Sequence, residues 1–290
     1  MLSQSNIGIF GGDMRQVYLA DALLKKGYHV YTYKTLEKIE HKNCTQMNSL
    51  RELFEQCKIV IGPIPFNKDH VFAASANATE PVNSSLTKLI TNNHILIGGI
   101  IPSQIVEGCQ ARGIPCYDYM NDEKIAILNA IATAEGTIME AIKSSDINLH
   151  GSNCLILGYG RCAKVLAGKL KALDARVTIA ARSPEALAYA EAAGYQTCEL
   201  SDMKKILSSF NFIFNTIPAL VLDKDHLAHV DPKVTIIDIA SQPGGVDFEY
   251  AIKHNLNAKL CLGIPGKVSP KTSADIILSG IMSFIKERSD

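Results

Sequence analysis

Asn153-Cys154-Leu155-Ile156-Leu157-Gly158-Tyr159-Gly160-Arg161-Cys162-Ala163 runs an apolar strand straight into a G-x-G-x-x-A turn. Helical spacing then continues from Ala163 through Leu170. Strand, glycine turn and amphipathic helix in that order form the context in which the glycines bind a dinucleotide. Gly158 permits the tight turn, Gly160 lets a pyrophosphate approach the backbone, and Ala163 lets the helix lie close on the strand. Tyr159, Arg161 and Cys162 complete the turn, and the helix start offers N–H groups and partial positive charge to the phosphates. The weaker reading is a glycine turn that binds nothing. The motif begins about 150 residues in, so a whole domain precedes it, and a two-domain enzyme with a cleft between its halves is expected.

The next strand decides which dinucleotide. A site selective for NAD ends this strand with Asp or Glu, about 20 residues past the glycines, to hold the ribose 2′-hydroxyl. Here the strand ends Ala180-Ala181-Arg182-Ser183. Arg182 suits a 2′-phosphate bidentately and Ser183 can donate to the same group, which favours NADP over NAD. The plainer reading leaves Arg182 solvated and Ser183 as a helix cap. Asn215-Thr216-Ile217-Pro218 and Ala240-Ser241-Gln242-Pro243-Gly244-Gly245 follow later strands, where parallel sheets bind ligands, and are expected to border the nicotinamide. Gly263 to Thr272, containing Gly266 and Lys267, reads as a stiff loop with two cations.

The first half also alternates strand and helix. Asn6–Phe10 reads as a strand, Met14–Lys25 as a helix ending at Gly27, and His29–Tyr33 as a strand. Ser49 caps a helix through Gln56, and further strands are expected at Lys58–Ile61, Ile95–Gly98 and Pro115–Tyr117. Gly11-Gly12-Asp13-Met14-Arg15-Gln16 lies at the first strand-to-helix turn without the dinucleotide fingerprint. With Arg15 and open helix N–H groups it suits a carboxylate, although Asp13 reads equally as an N-cap. Gly62-Pro63-Ile64-Pro65 is another stiff strand-end loop. From Asn121 to about Ser145 a connecting helix is expected, with Ile127, Ile131, Ala134, Ile138 and Ile142 as its apolar stripe at i+3/i+4 spacing. The second series of strands and helices follows, with Ser201-Asp202 starting a helix, and Lys271–Lys286 forms a terminal helix that returns to the first domain or the connector. The expected fold is α/β, with two doubly wound parallel-sheet domains. The first spans residues 1–120, the connector 121–145, the nucleotide domain 146–270 and the terminal helix 271–290.

Bulk properties narrow the class. The 290 residues are 47% hydrophobic and 20% charged with zero net charge, which provides a core and argues against a nucleic-acid or membrane-surface protein. Eight cysteines without a C-x-x-C pair, on a start lacking export features, read as reduced thiols in a cytoplasmic chain. No metal spacing is found among the histidines.

Several longer stretches carry a resemblance. The glycine turn with Ala180 to Ser183, Asn215 to Pro218, Asp238 to Phe248, Gly263 to Ala274, Gly11 to Gln16 and Asn129 to Gly136 together resemble the dipicolinate synthase A-subunit family of endospore-forming bacteria, over essentially the whole chain. Gln242 departs from the family, where an arginine is common before Pro-Gly-Gly. The resemblance implies NADP-linked oxidation of dihydrodipicolinate to pyridine-2,6-dicarboxylate. It also implies, as partner, the flavoprotein-like B-subunit of dipicolinate synthase. The mother cell of a sporulating bacterium is the implied location, with room for a homo-oligomer. A dicarboxylate would meet Gly11, Gly12, Arg15, Gln16, Pro63, Ser241, Gln242, Gly266 and Lys267, and the base would be Asp13, Glu135, His70 or a water. Two other readings are a hydroxyacid or shikimate-type dehydrogenase and a non-catalytic nucleotide-binding regulatory subunit.

Overall fold

The computed structural model describes residues 6–66 and 82–288, with the backbone alone for 82–85. Met1–Ala126 with Ser269–Asp290 form one compact unit and Ile127–Val268 the other. In the first unit, β1 (Ile7–Phe10), β2 (Val30–Tyr33), β3 (Cys44–Gln46), β4 (Ile59–Ile61), β5 (Ile95–Gly98) and β6 (Cys116–Asp118) make one parallel sheet in the order β3-β2-β1-β4-β5-β6. Its helices are α1 (Met14–Lys25), α2 (Leu50–Gln56), α3 (Val82–Leu89) and α4 (Ser103–Ala111).

Helix α5 (Glu123–Lys143) carries the chain into the second unit. There β7 (Asn153–Leu157), α6 (Arg161–Ala172), β8 (Arg176–Ala181), α7 (Pro184–Ala192), β9 (Gln196–Glu199) and β10 (Phe212–Asn215) are followed by α8 (Lys224–Leu227), β11 (Thr235–Asp238), α9 (Phe248–Lys253), β12 (Asn257–Leu260) and α10 (Ile264–Val268). The six strands pair in parallel as β12-β11-β10-β7-β8-β9. Each sheet therefore has the doubly wound order, and its direction of winding reverses beside its first strand, between β1 and β4 and between β7 and β10. Ligands of such sheets bind outside the carboxyl ends of the strands at that reversal.

Strands covered on both faces are continuous apolar runs rather than alternating ones. Ile7, Ile9, Ile59 and Ile61 face Leu19 and Leu23 of α1, together with Ile277 and Ile281 of the terminal helix α11 (Pro270–Lys286). Phe10, Val60 and Leu96 on the opposite face meet Leu53, Phe54 and Ile105. The expectation that the last helix returns to the first unit is met by its packing on α1. Local signals also hold: Ser49 accepts from the Glu52 N–H at 3.1 Å, and Gly27 ends α1 at φ +88°.

Three expectations are corrected. Ile127, Ile131 and Ile142 of α5 are 45, 40 and 56% exposed, while Ala130, Ala134, Thr137 and Ala141 are buried. The packed face of α5 is the one with small side chains, because its neighbours come close; a Cβ on Gly136 would lie 2.2 Å from Ile264 Cγ2. By length and composition this 21-residue helix could cross a membrane, yet it serves as a packed helix of the fold. Ser201-Asp202 starts no α-helix: Asp202 makes no capping bond, and two short 3₁₀ turns follow at Met203–Lys205 and Leu207–Ser209. The expected loop after Gly263 is largely helical, since α10 and α11 occupy most of it.

Two glycines test this packing with opposite signs. A Cβ at Gly280 of α11 would sit 2.3 Å from Ile125 Cδ1 and 3.0 Å from the Tyr117 hydroxyl, whereas one at Gly108 of α4 would meet open space. Gly280→Val is expected to lower stability by about 1–3 kcal/mol, and Gly108→Ala to raise it by about 0.5–1 kcal/mol. Urea unfolding of the two variants checks both, and equal effects would contradict the placement of α11.

Candidate active site

The two β1-type turns face the same physical problem, since the first N–H groups of a helix have no partner within it. At α6 the N-cap side chain does not close it. Gly160 is the N-cap, contributes no side-chain bond, and has open space where a Cβ would stand. Gly158 adopts φ +91°, and a Cβ there would lie 2.7 Å from Thr216 Oγ1 and 3.0 Å from Ile217 Cγ1. Ala163 is fully buried against the sheet. Thr216 donates from its hydroxyl to Leu157 O at 2.7 Å, tying β10's exit to β7 at the reversal point. A glycine turn running into a helix that has no side-chain cap is the arrangement that holds a pyrophosphate.

Around this turn the side chains take distinct roles. Tyr159 packs its ring edge-on to Tyr195, and Lys164 lies 5.6 Å above it. Cys162 is a hydrogen-bonded thiol, raised in pKa mainly by burial, with Thr133 opposing. At the tip of β8, Ala181 is buried and Arg182 is exposed. Among the described residues nothing holds the Arg182 guanidinium. The Ser183 hydroxyl oxygen accepts the Ala186 N–H at 3.3 Å, capping α7, which leaves its own proton to donate elsewhere. No carboxylate follows on β8, although Glu199 stands in register with Ala181 on β9.

The loops after β10 and β11 are held by a buried polar knot. Asp238 accepts from Asn215 Nδ2 at 2.8 Å, from the Ala240 N–H at 3.0 Å and from the Gly245 N–H at 2.7 Å. Asn215 in turn donates to Ile217 O and accepts the Ile217 N–H, at 3.0 and 3.1 Å. Both side chains are wholly buried. This explains the glycine pair: a Cβ on Gly245 would meet Asn215 Nδ2 at 2.4 Å, and Gly244 sits at φ +86° with its Cβ position 2.9 Å from Asp238 Oδ2. Ala240 is buried beneath the exposed Ser241 and Gln242, and the Gln242–Pro243 peptide is cis. Asp238 was missed as a site-building residue by sequence reasoning. Its one signal is a charged side chain closing the apolar run Ile236-Ile237.

At α1 the same problem is closed from within. Asp13 accepts the Arg15 N–H at 3.1 Å, and Gln16 Oε1 accepts the Asp13 N–H at 3.2 Å. The open N–H groups expected there are thus largely occupied. Arg15, only 6% exposed, lies in a bidentate ion pair with Asp13 at 2.9 and 2.8 Å and also donates to Ile64 O at 3.2 Å. Gln16 donates to Gly62 O at 3.4 Å. These two side chains span the reversal between β1 and β4. Gly11 and Gly12, at φ +63° and +85°, Asp13, Arg15, Gln16 and the buried Pro63 therefore meet at the carboxyl ends of β1 and β4. Opposite them Asp118 accepts the N–H groups of Ile100, Ile101 and Met120 at 3.1, 2.8 and 2.9 Å.

The remaining expected residues are placed as follows. Glu135 of α5 is paired with Lys169 of α6 at 2.8 Å and half exposed. Gly266 is buried in α10, and Lys267 beside it is exposed, its charge acting on Glu140 and Cys261. His70 lies outside the described residues.

Two family models match this chain, one over each half. Residues 6–120 match the family model of the dipicolinate synthase A-subunit N-terminal domain, and residues 126–257 that of the NAD-binding domain of D-isomer specific 2-hydroxyacid dehydrogenases. The chain is 31% identical to the dipicolinate synthase A-subunit of Bacillus subtilis, covering 99% of this chain and 98% of that protein. The crystal structure of the dipicolinate synthase A-subunit from Bacillus halodurans superposes with a TM-score of 0.86 at 30% identity, covering 98% of this chain and 99% of that one. A transhydrogenase from Sinorhizobium meliloti, at 10% identity and a TM-score of 0.62 over 97% of this chain and 94% of that one, shares the fold.

The polar knot yields a direct expectation. Asp238→Ala strands three buried donors and is expected to destabilise the chain by about 3 kcal/mol or more, read as a shift in the urea midpoint. A loss below about 1 kcal/mol would show that the loops do not depend on this carboxylate.

Proposed function

Because the chain belongs to the dipicolinate synthase A-subunit family, we propose that it oxidises dihydrodipicolinate to pyridine-2,6-dicarboxylate with NADP as hydride acceptor. The observation that carries this reading is the contrast between the two helix openings. The opening of α6 has no side-chain cap and is clear at the Gly160 Cβ position, so it suits the pyrophosphate. The opening of α1 is closed by a capping box and carries a carboxylate, which repels phosphate but keeps a guanidinium in place. One nucleotide and one dicarboxylate thereby have separate hosts.

NADP would lie over Gly158 and Gly160, with its 2′-phosphate on Arg182 and the Ser183 hydroxyl and its nicotinamide bordered by Asn215 to Pro218, Ala240 and Ser241. When bound it supplies the acceptor for a hydride. The chain supplies the rest: cations to hold two carboxylates, fixed loops to orient the ring, and a base for the proton whose departure makes the ring aromatic. Arg15 holds one carboxylate, and Lys267 contributes positive charge to the second unit's rim. Asp13 is the proposed base, because it stands at the carboxyl ends of β1 and β4 beside Arg15, whereas Glu135 lies on α5 against Lys169. The chain works with a second, flavoprotein-like subunit, in the mother-cell cytoplasm of a spore-forming bacterium. The dehydrogenase-type match over residues 126–257 supports the nucleotide role, and the substrate assignment draws on residues 6–120 instead.

The purified chain, with and without its second subunit, given dihydrodipicolinate and NADP, is expected to produce pyridine absorbance and NADPH in step. Arg182→Ala should weaken NADP at least about tenfold, the loss of one charge-assisted contact, and leave NAD unchanged. Improved use of NADP by Arg182→Asp, or pyridine formation without NADPH, would overturn the reading.

A further inference from the structure

The hydroxyl of Tyr119 is buried without any hydrogen-bond partner among the described residues, and its ring is fully enclosed. Buried donors are almost always satisfied, so an orphan calls for a physical reason. Tyr119 follows β6 at the carboxyl end of the first sheet. Gly99 lies against its ring, since a Cβ there would stand 2.6 Å from Tyr119 Cε2 and 2.7 Å from Ile64 Cγ1. Ile64 is also the residue whose carbonyl accepts from Arg15. Tyr119, Gly99, Ile64 and Arg15 are thus one continuous wall, and the charges of Arg15, Asp118 and Asp13 all act on the phenol. Burial, the largest influence, pushes its ionisation up, so at neutral pH it is a donor. A guanidinium and a phenol donor on one wall share a need for an anionic acceptor. Asp13 already accepts two guanidinium N–H groups and the Arg15 backbone N–H.

We propose that Tyr119 is a further substrate-positioning residue, whose hydroxyl donates a hydrogen bond to the substrate carboxylate that takes the Arg15 fork from Asp13. This rests on the reading of the first unit as the dicarboxylate site. Exchange at Arg15 has two effects. It gives the orphan donor an acceptor, and it frees Asp13 from an ion pair in which a carboxylate is a poor base. The enclosed wall therefore opens only to a ligand able to replace a carboxylate, which selects for an acid over its amide or ester.

Calorimetric titration of the full chain with pyridine-2,6-dicarboxylate, paired with thermal unfolding of the protein alone, tests this. Tyr119→Phe is expected to bind the dicarboxylate about tenfold more weakly, one hydrogen bond's worth, and to raise KM for the substrate with little change in kcat. Its Tm without ligand is expected to stay level or rise, because the orphan hydroxyl is gone. A fall in Tm would reveal an internal partner and overturn the proposal. Equal binding by variant and wild type would overturn it while leaving the dicarboxylate site standing, whereas absence of binding to the wild type would overturn both.

Discussion

A helix cannot satisfy its own first N–H groups, and the two halves of this protein resolve that constraint in opposite ways. The second unit starts α6 behind two glycines without a side-chain cap. The first unit completes α1 with its own Asp13 and Gln16. Both sheets share one strand order and one reversal point, so topology does not distinguish them. The difference comes from a handful of residues at the turn. A capped turn has little donor capacity left for a pyrophosphate, and Asp13 there adds repulsion. What it gains is a buried arginine fixed at the reversal by its pairing with Asp13.

The nucleotide side depends on a second constraint, the burial of Asp238. A carboxylate without solvent must be surrounded by donors, and here the donors are the backbone of the following loop and the side chain of Asn215. That requirement fixes the glycine pair at 244 and 245 and sets both strand-end loops together. Thr216, reaching back to Leu157, joins the same loops to the strand that carries the glycine turn. The rim of the candidate site is thus stiff because a buried charge makes it so. In the first unit the corresponding anchor is Asp118, which gathers three N–H groups and leaves Ile100 at φ +57° after β5.

Much of this was readable from the chain. Alternating apolar runs and helical periods located the strands other than β3 and most helices, and Ser49 and Gly27 carried their usual meaning. What escaped reading was long-range. The packed face of α5 is a stripe of small residues, and periodicity alone favours the larger isoleucines that in fact face outward. Asp202 looks like a cap, but nothing in its neighbourhood shows that the following residues will settle into 3₁₀ turns. Asp13 and Arg15 were visible as chemistry, while their mutual pairing was not, because two residues apart they meet only through the turn that Gly11 and Gly12 impose. Asp238 and Tyr119 are ordinary letters in the sequence and acquire significance only through burial.

Titrating the full chain with NADP and with NAD by calorimetry addresses the division of labour between the two units most directly. The expected result is one NADP per chain, bound at least about tenfold more tightly than NAD, with pyridine-2,6-dicarboxylate binding in addition to the nucleotide rather than against it. Two nucleotides per chain, tighter binding of NAD, or direct competition between nucleotide and dicarboxylate would contradict it.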